Sequence, residues 1–356
     1  MLSVSLLTLG SPEQLTGGYL YHRRIADLAP ANDSELCFVS FAPQQFPLPV
    51  LKADAVMRKT RETNPDVVLI DSIVAAFLSF WLPTHRFPIP LAAILHQQPG
   101  GIDHEGLRRL IQVPLDIATY RHTSLLVLAS HALLGTLPRN LRHGREIVIV
   151  PPGRDVATEV ADVGDLRKGR RAALLCVGNW VRRKGILELL EAFASLPPGS
   201  ATLHLVGRDD IDEGYTSRVR ARLAHPDLEN RVVVHGPVDR ATVSGMYQSS
   251  DAFALASTKE PYGTVYGEAM AAGLPVVGWR AGNLPHLAEH EREALIIEPG
   301  DVTGLSTALE RLAEDKELRA RLGEAARHRA QSLPTWEDSA QSLFAALRRL
   351  RRGTVT

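Results

Sequence analysis

The chain has 356 residues, of which 45% are hydrophobic, and its 40 basic residues balance 40 acidic ones. This length predicts two domains, and the ordinary apolar content excludes a disordered or collagen-like chain. Zero formal net charge argues against a protein that binds nucleic acid through its phosphates, so we expect no nucleic-acid partner. Cys37 and Cys176 are the two cysteines, which excludes a disulfide scaffold or a cysteine-based zinc site.

The sequence carries no apparent targeting or membrane-spanning signal. Its N-terminus lacks a basic leader region, and the apolar run Ile73–Leu82 is far shorter than the roughly 20 residues that cross a bilayer. We therefore expect a cytoplasmic protein with at most peripheral membrane contact. Four arginines near the C-terminus predict a solvated helix face, with contact to acidic lipid headgroups as the alternative: Arg348, Arg349, Arg351 and Arg352.

In the first half, short runs rich in Leu and β-branched residues alternate with stretches of helical period. The predicted strands are Ser3–Leu9, Leu36–Ser40, Val67–Ile70, Leu91–Leu95 and Leu125–Leu128, and the segment Ile147–Val150 comes after them. The predicted helices are Tyr19–Leu28, Val50–Thr63, Ser72–Leu82 and Leu107–Tyr120. The breaker Pro151-Pro152-Gly153 ends this half, and a polar stretch at 155–171 follows it.

The same alternation restarts in the second half. Strands are predicted at Ala173–Val177, Thr202–Val206, Val232–Val234, Ala252–Leu255 and Val276–Val277, and helices at Gly185–Ser195, Thr216–Leu223, Ala241–Tyr247 and Gly267–Ala272. The tail from Val302 onward is helical by composition. Alternating strands and helices predict two doubly wound parallel-sheet domains of the α/β class. Ligands of such sheets bind at the carboxyl ends of strands, so the informative residues should follow strands.

The richest segment is residues 257–278, in which Glu260 and Glu268 flank Gly263 and Gly267. A loop that enters a helix near Gly263 would aim backbone N–H groups at an anion. The two carboxylates would accept hydrogen bonds from sugar hydroxyls, one of a hexose and one of a ribose. Two solvated carboxylates at a helix end would give the same spacing.

A basic loop follows the predicted strand Ala173–Val177. Lys184, together with Arg182 or Arg183, would hold a diphosphate through compact positive charge and close backbone approach. The loop lacks the Gly and Ser/Thr pattern of a P-loop. A solvated Lys-Gly turn is the alternative interpretation.

Two further features follow strands of the first half. Gly17-Gly18 would let the backbone approach a phosphate, although the segment is not a dinucleotide-binding fingerprint. His96 follows Leu91–Leu95, where it would contact a sugar hydroxyl or polarise a reacting group. A plain strand–helix turn and a structural histidine are the alternatives. Nearby candidates for lining an acceptor site are Tyr19, Tyr21, His22, Gln97 and Gln98.

Taken together and in order, these segments resemble the retaining glycosyltransferases of family 4, which have the GT-B fold. The E-x7-E motif of that family is similar to Glu260–Glu268, and its G-R-x4-K-G pattern is similar to Gly178–Gly185. The resemblance implies two Rossmann-like domains that face a central cleft. It places an acceptor-side domain at 1–150, a nucleotide-sugar-binding domain at 151–335, and a terminal helix at 336–356 that packs back on the first domain.

The resemblance also implies a reaction and roles for single residues. A hexosyl unit would pass, with retention, from a nucleotide-diphosphate sugar to an acceptor that is a small molecule, a saccharide or a lipid headgroup. Neither a metal nor a resident cofactor is expected. Lys184 would neutralise the diphosphate, Glu260 and His96 would contact the donor sugar, and Glu268 would bind the ribose. Further donor contacts are implied at Gly18, Asn179, Arg183, Gly263, Thr264 and Val265.

One departure from the family pattern concerns the basic loop. The family's arginine is Asn179 here, which supplies a neutral amide where arginine supplies a charged fork. Arg182 or Arg183 would have to compensate. Two other functions stay open: a sugar-nucleotide epimerase of the same fold, which would need no acceptor, and a catalytically degenerate protein that only binds a nucleotide sugar.

Overall fold

Two six-stranded parallel sheets, each flanked by helices, organise the chain. The computed structural model describes residues 1–11, 17–43, 48–104, 106–154 and 159–353. The chain divides into a first unit, Met1–Gly153 with Pro334–Thr356, and a second unit, Arg154–Leu333. The predicted fold class, two doubly wound parallel-sheet domains, is confirmed. Pro12 and the first residues of the polar stretch predicted at 155–171 lie outside the described residues.

The sheet of the first unit has the strand order β2-β1-β3-β4-β5-β6. Its strands are β1 (Leu2–Leu9), β2 (Ser34–Phe41), β3 (Val67–Asp71), β4 (Leu91–Leu95), β5 (Leu125–Leu128) and β6 (Glu146–Ile149). Strands β3, β4 and β5 are buried along their whole length, as continuous apolar runs in parallel sheets require. The order reverses after β1–β2, so that the carboxyl ends of β1, β3 and β4 lie side by side.

The helices of the first unit cover this sheet. They are α1 (Gly17–Leu28), α2 (Ala53–Glu62), α3 (Ala75–Leu78), α4 (Trp81–Thr84), α5 (Gly106–Tyr120), α6 (His131–Thr136) and α7 (Arg139–Arg142). Single 3-10 turns lie at Pro30–Asn32 and Leu48–Lys52. The terminal helix of the chain also belongs to this unit, because Leu343, Phe344 and Leu347 are buried in its core beside strands β1, β3 and β4.

The predicted solvated face agrees with the exposure of Arg349 and Arg352, whereas Arg348 and Arg351 are half-buried. Three of the four arginines also bond to groups of the first unit. Arg349 pairs with Glu146 at 2.6 Å, and Arg351 pairs with Asp66 at 3.1 Å. Arg348 donates to the carbonyl oxygen of Asn32 and to the Ser34 hydroxyl. A helical pattern reveals which arginines share a face, but not which acidic groups the fold places opposite them. These three arginines fasten the terminal helix to the first sheet.

The sheet of the second unit has the strand order β12-β11-β10-β7-β8-β9. Its strands are β7 (Ala172–Val177), β8 (Ala201–Val206), β9 (Val232–Gly236), β10 (Ala252–Leu255), β11 (Val276–Trp279) and β12 (Ala294–Ile297). Its helices are α8 (Ile186–Ala194), α9 (Glu213–Leu223), α10 (Arg240–Ser249), α11 (Thr264–Ala271), α12 (Leu284–Leu287), α13 (Val302–Glu314) and α14 (Lys316–Gln331). Single 3-10 turns lie at Arg182–Lys184 and Pro226–Leu228, and the terminal helix of the first unit is α15 (Trp336–Gly353). Strands β7 and β10 are neighbours at the centre of this sheet.

Some elements differ from the sequence prediction. The helix expected at Ser72–Leu82 is two short helices, α3 and α4. The Asp71 carboxylate accepts the Ile73 N–H at 3.2 Å and holds a turn before α3, and the Ser79 hydroxyl donates to the Ala76 carbonyl oxygen at 2.8 Å where α3 ends. Strand β12 was not predicted, because it has only four residues and is flanked by Glu293 and Glu298. Helix α11 begins three residues before the predicted start. Within the described residues, no helix combines the length and hydropathy needed to cross a membrane.

The turn that joins β7 to α8 depends on Gly185. Its φ is +66°, and a Cβ built there would lie 1.9 Å from the carbonyl oxygen of Ala256. We predict that Gly185→Ala lowers the free energy of unfolding by about 3 kcal/mol, from a left-handed backbone and a backbone clash. Gly199→Ala, in open space, should change it by less than about 0.5 kcal/mol. Urea denaturation of both variants checks this, and equal effects would contradict it.

Candidate active site

The carboxyl ends of β7 and β10 are tied together by their loops. After β7 the chain passes Gly178 and Asn179 into the 3-10 turn that carries Arg183 and Lys184. The carbonyl oxygen of Arg183 accepts the Thr258 N–H at 2.8 Å and the Ser257 hydroxyl at 3.0 Å. The basic loop and the loop after β10 therefore form one connected surface at the edge of the sheet.

Lys184 and Glu260 form a buried ion pair within this surface. The Lys184 ammonium donates to Glu260 Oε2, and the two residues are only 8% and 7% exposed. The Arg183 guanidinium lies 3.9 Å from the same oxygen. Because a buried charge is tolerated only when it is paired, each partner requires the other. The structure thus brings together three residues that the sequence predicted for the site.

The backbone around Glu260 is fixed by a third loop. Asn283 donates its N–H to the Glu260 carbonyl oxygen at 2.9 Å and its side-chain amide to the Tyr262 carbonyl oxygen at 2.8 Å. Gly282 lies so close that a Cβ there would stand 2.6 Å from the Glu260 nitrogen. The carboxylate of Glu260 is consequently held on a rigid support rather than on a free loop.

Helix α11 begins beside this pair. Gly263 caps its N-terminus with φ +74°, and Thr264 and Val265 open the helix. The first N–H groups of a helix have no partner within it and carry partial positive charge, which suits an anion. One turn further on, Glu268 Oε2 accepts the Tyr247 hydroxyl at 3.1 Å. Burial and the Glu268 carboxylate raise the pKa of Tyr247 well above its ordinary value, so the phenol remains a donor.

Asn179 serves the shape of the basic loop. Its side-chain oxygen accepts the Arg208 N–H at 3.1 Å, while the Trp180 N–H donates to the Arg208 carbonyl oxygen at 2.8 Å. The Asn179 side chain therefore links the loop that follows β7 to the loop that follows β8. Of the two arginines predicted to compensate for it, Arg183 lies near Glu260 and Arg182 is exposed.

In the first unit, His96 belongs to a buried polar cluster at the ends of β1, β3 and β4. The His22 ring nitrogen Nε2 lies 2.9 Å from Asp71 Oδ2 and 3.1 Å from His96 Nε2. The Thr8 hydroxyl donates to the same Asp71 oxygen at 3.1 Å. All four side chains are buried. Helix α1 supplies His22, and the same helix carries Gly18 four residues earlier.

The protonation of this cluster follows from its surroundings. Burial acts to raise the pKa of Asp71, but the His22 imidazole outweighs it and the pKa falls to about 2. A carboxylate only accepts hydrogen bonds, so His22 Nε2 carries the hydrogen that faces Asp71. Burial, together with His22, lowers the pKa of His96 to about 3, and this ring is neutral near pH 7.

The same three residues have the composition of a metal-ligand set. The ligand-type atoms of His22, Asp71 and His96 lie within 4.8 Å of one another, and two histidines with a carboxylate suit several transition metals. The hydrogen bonds from Thr8 and His22 to Asp71 explain the same convergence without an ion. If the activity of the protein depends on a metal, His22, Asp71 and His96 are the residues to substitute first.

Some candidates for lining an acceptor site are instead part of the framework. The Tyr19 hydroxyl donates to the Leu9 carbonyl oxygen, and the Tyr21 hydroxyl donates to that of Val150 at 3.1 Å. Tyr21 also makes edge contacts with the rings of His96 and Trp336, at centroid distances of 4.9 and 5.7 Å. Trp336 opens α15, so the terminal helix of the chain supports the residue that packs on His96.

Sequence reasoning missed two partners of the predicted residues. Asp71 was not among the predicted site residues, yet its carboxylate binds the His22 ring. Tyr247 drew no attention, because a tyrosine within a helix is usually a core residue, yet it donates to Glu268. A polar residue that ends a buried strand, as Asp71 ends β3, is the signal that would have identified the first.

Asp116, a second buried carboxyl of the first unit, differs from Asp71. It lies on α5 and accepts the Gly100 N–H at 2.8 Å, and burial raises its pKa to about 7 despite that bond.

We predict that His96 and Asp116 give opposite pH dependences of stability. The unfolded chain binds the His96 proton more readily, so His96→Gln should gain stability over the wild type as pH falls from about 6.5 towards 3. The folded chain binds the Asp116 proton more readily, so Asp116→Asn should gain as pH rises from about 4 to 7. Each slope should approach about 1.4 kcal/mol per pH unit at most.

Urea denaturation at a series of pH values measures both differences. The exposed His143 provides the control, as His143→Gln should follow the wild type. If the free energy of unfolding of all four proteins changed with pH in the same way, the pKa shifts of His96 and Asp116 would be contradicted.

Comparison with known proteins agrees with this geometry. The sequence model of the family Glycosyl transferases group 1 matches residues 162–329. The lipopolysaccharide core biosynthesis glycosyltransferase LpsD of Rhizobium meliloti (strain 1021) is 34% identical over 272 residues, which cover 74% of this chain and 70% of that protein. The mannosylfructose-phosphate synthase of Agrobacterium fabrum (strain C58 / ATCC 33970) is 29% identical over 244 residues. That alignment covers 65% of this chain and 54% of the synthase, so the chain matches about half the length of this relative.

Solved structures share the fold of the whole chain. The sucrose-phosphate synthase of Thermosynechococcus elongatus has a TM-score of 0.81 at 21% identity, over 99% of this chain and 100% of that one. Anabaena HepE in complex with UDP and glucose has a TM-score of 0.76 at 22% identity, over 98% and 100%. These identities establish the fold, GT-B, and the sequence similarity to LpsD establishes the family. The chain belongs to the group 1 glycosyl transferases.

Proposed function

We propose that the protein is a retaining glycosyltransferase, which moves a hexosyl unit from a nucleotide-diphosphate sugar to an acceptor hydroxyl without a metal. The observation that carries this proposal is the buried Lys184–Glu260 pair beside the start of α11. A fixed cation, a fixed carboxylate and a helix N-terminus are together what a diphosphate sugar requires. The family membership supports the reaction class.

Lys184 neutralises the diphosphate in this proposal. An ammonium has three donors, so Lys184 can keep its bond to Glu260 and still donate to phosphate oxygens. Charge develops on the leaving diphosphate as the sugar becomes cationic, and a preorganised cation lowers that barrier. Arg183 adds positive charge on the same side of the loop.

The carboxylates orient the donor. Lys184 holds one oxygen of Glu260, and the carboxylate retains acceptor capacity for a hydroxyl of the donor sugar. Glu268, already oriented by Tyr247, accepts the ribose hydroxyls. The first N–H groups of α11, at Gly263, Thr264 and Val265, meet the sugar and the phosphate.

The roles proposed for residues of the first unit rest on the resemblance. Gly18 approaches a phosphate by its backbone, and the neutral His96 imidazole hydrogen-bonds a donor hydroxyl. Asn179 keeps its donor-binding role in this proposal: its side-chain oxygen accepts the Arg208 N–H, which orients the amide NH2 group as a donor to a phosphate oxygen. The acceptor attacks on the same face of the sugar that the phosphate leaves, and the leaving phosphate assists.

The first experiment measures thermal stabilisation by UDP-, GDP- and ADP-linked hexoses. HepE is described in complex with UDP and glucose, which puts the uridine series first. A donor at a hundred times its dissociation constant adds about 2.7 kcal/mol to the stability of the protein. Stabilisation by one nucleotide series supports the proposal, and none by any series refutes it. Binding without turnover would identify a degenerate binding protein, and conversion of the donor without an acceptor would identify an epimerase.

We predict that Lys184→Met abolishes transfer and also destabilises the protein. The change leaves Glu260 buried without its partner. Loss of one member of such a pair costs about 3–5 kcal/mol. The double variant Lys184→Met with Glu260→Gln should regain most of the stability and none of the transfer.

The exposed Arg182, from the same loop, provides the matched control. Arg182→Ala should change stability by less than about 0.5 kcal/mol and leave donor binding nearly unchanged. Transfer by the double variant at the wild-type rate would refute the role given to Lys184.

We further predict that dialysis against EDTA leaves the transfer rate unchanged, and that the product keeps the anomeric configuration of the donor. Initial rates before and after added magnesium, and the proton coupling at the anomeric carbon in NMR spectra, measure the two. Activity that EDTA abolishes and magnesium restores would refute metal independence.

A further inference from the structure

Helix α5 turns its apolar side chains outward. Leu107 and Leu110 are each 72% exposed and Ile111 is 44% exposed, whereas Gln112 and Asp116 are buried. A surface helix ordinarily buries its apolar face and exposes its polar one. In α5 three apolar side chains are exposed beside the exposed Arg108, while Val113 and Leu115 are half-buried.

Polar bonds account for the buried side of this helix. Asp116 accepts the Gly100 N–H at 2.8 Å, and the Thr119 hydroxyl donates to the Ala75 carbonyl oxygen of α3 at 2.6 Å. These bonds and the buried Tyr120 fix how the helix lies on the unit. The outward residues are therefore not needed to hold α5 in place.

The exposed apolar residues form one line along the helix, which we term the α5 stripe. Its members recur at intervals of three and four residues, so they lie on the same helix face: Leu107, Leu110, Ile111 and Pro114. Helix α3 packs against α5 and against the 3-10 turn Leu48–Lys52. Each of these neighbours contributes another exposed apolar residue, Phe80 just after α3 and Leu51 in the turn.

Basic side chains accompany the stripe. Residues 106–115 contain Arg108 and Arg109 and no acidic residue, and the exposed Lys52 follows Leu51 directly. Two acidic residues, Asp103 and Glu105, precede the helix in the sequence. A bilayer that contains anionic lipids has an apolar interior and negatively charged headgroups at its surface. Exposed apolar side chains with cationic side chains near them in sequence are complementary to such a surface.

We propose that the α5 stripe docks the protein on an anionic lipid surface. The leucines and Ile111 enter the boundary between headgroups and acyl chains, while Arg108 and Lys52 contact lipid phosphates. A single convex helix with cations at its edge is the shape of an interfacial helix that lies in the plane of a bilayer. Of the C-terminal arginines, Arg348, Arg349 and Arg351 already bond to other groups of the first unit. The docking does not depend on the proposed transfer reaction.

The test is cosedimentation with vesicles of phosphatidylcholine, with and without one third phosphatidylglycerol, at about 0.1 M salt. The wild type should bind the anionic vesicles and leave the neutral ones largely free. One variant removes the stripe: Leu107→Ser, Leu110→Ser and Ile111→Ser. It should bind at least about tenfold more weakly at an unchanged unfolding midpoint, because these side chains are exposed.

A control variant removes three exposed apolar residues from the second unit, which are 46%, 49% and 46% exposed: Val160→Ser, Ile211→Ser and Val234→Ser. It should bind like the wild type. A charge variant, Lys52→Gln with Arg108→Gln, should bind on the order of 20-fold more weakly and lose most of the salt dependence.

Three outcomes would overturn the proposal. They are no binding of the wild type to either vesicle, equal binding of the stripe variant and the control variant, and a wild-type dimer that ignores vesicles and dissociates when the stripe is removed. The last outcome would make the stripe an interface between proteins. Because none of these measurements involves a donor sugar, a failure here is distinct from a failure of the proposed reaction.

Discussion

The buried ion pair between Lys184 and Glu260 is the constraint on which the second unit's site depends. Two loops that follow neighbouring strands must keep their charged ends in contact, because either charge alone would be strongly destabilised by burial. The backbone meets this need with Gly185, which lets the loops approach, and with Asn283, which fixes the loop at Glu260. Stability and function are thus coupled at one bond, so the effect of a substitution there on catalysis has to be separated from its effect on folding.

The first unit holds a buried carboxylate by hydrogen bonds. Asp71 keeps its charge because His22 and Thr8 bond to it, and burial together with His22 lowers the pKa of His96 to about 3, so that this ring is neutral near pH 7. Tyr21 packs on His96, and Trp336 of the terminal helix packs on Tyr21. The last helix of the chain therefore supports a polar cluster formed by residues near its beginning. Three arginines also bond this helix, α15, to the first unit.

Local sequence patterns predicted much of this arrangement. Continuous apolar runs indicated most strands of both sheets, and the residues that follow them were the right places to search, as Lys184, Glu260 and His96 demonstrate. Partners distant in sequence were beyond such patterns. Asp71 and His22 stand 49 residues apart and Lys184 and Glu260 stand 76 apart, and no periodicity links them. The single-residue roles in the transfer reaction came from the resemblance, whereas the burial and pairing that support them came from the fold.

Helix α5 marks a different limit of sequence patterns. Its period predicted a helix correctly, but a period does not decide which face turns inward. The fold offers Gly100 and Ala75 as partners for Asp116 and Thr119, so the polar face is buried at little cost once its hydrogen bonds form. The leucines are left outside, where water gives them no stabilisation. An isolated unit gains nothing from leucines in that position, and only an apolar surface outside the protein would turn their exposure into binding energy.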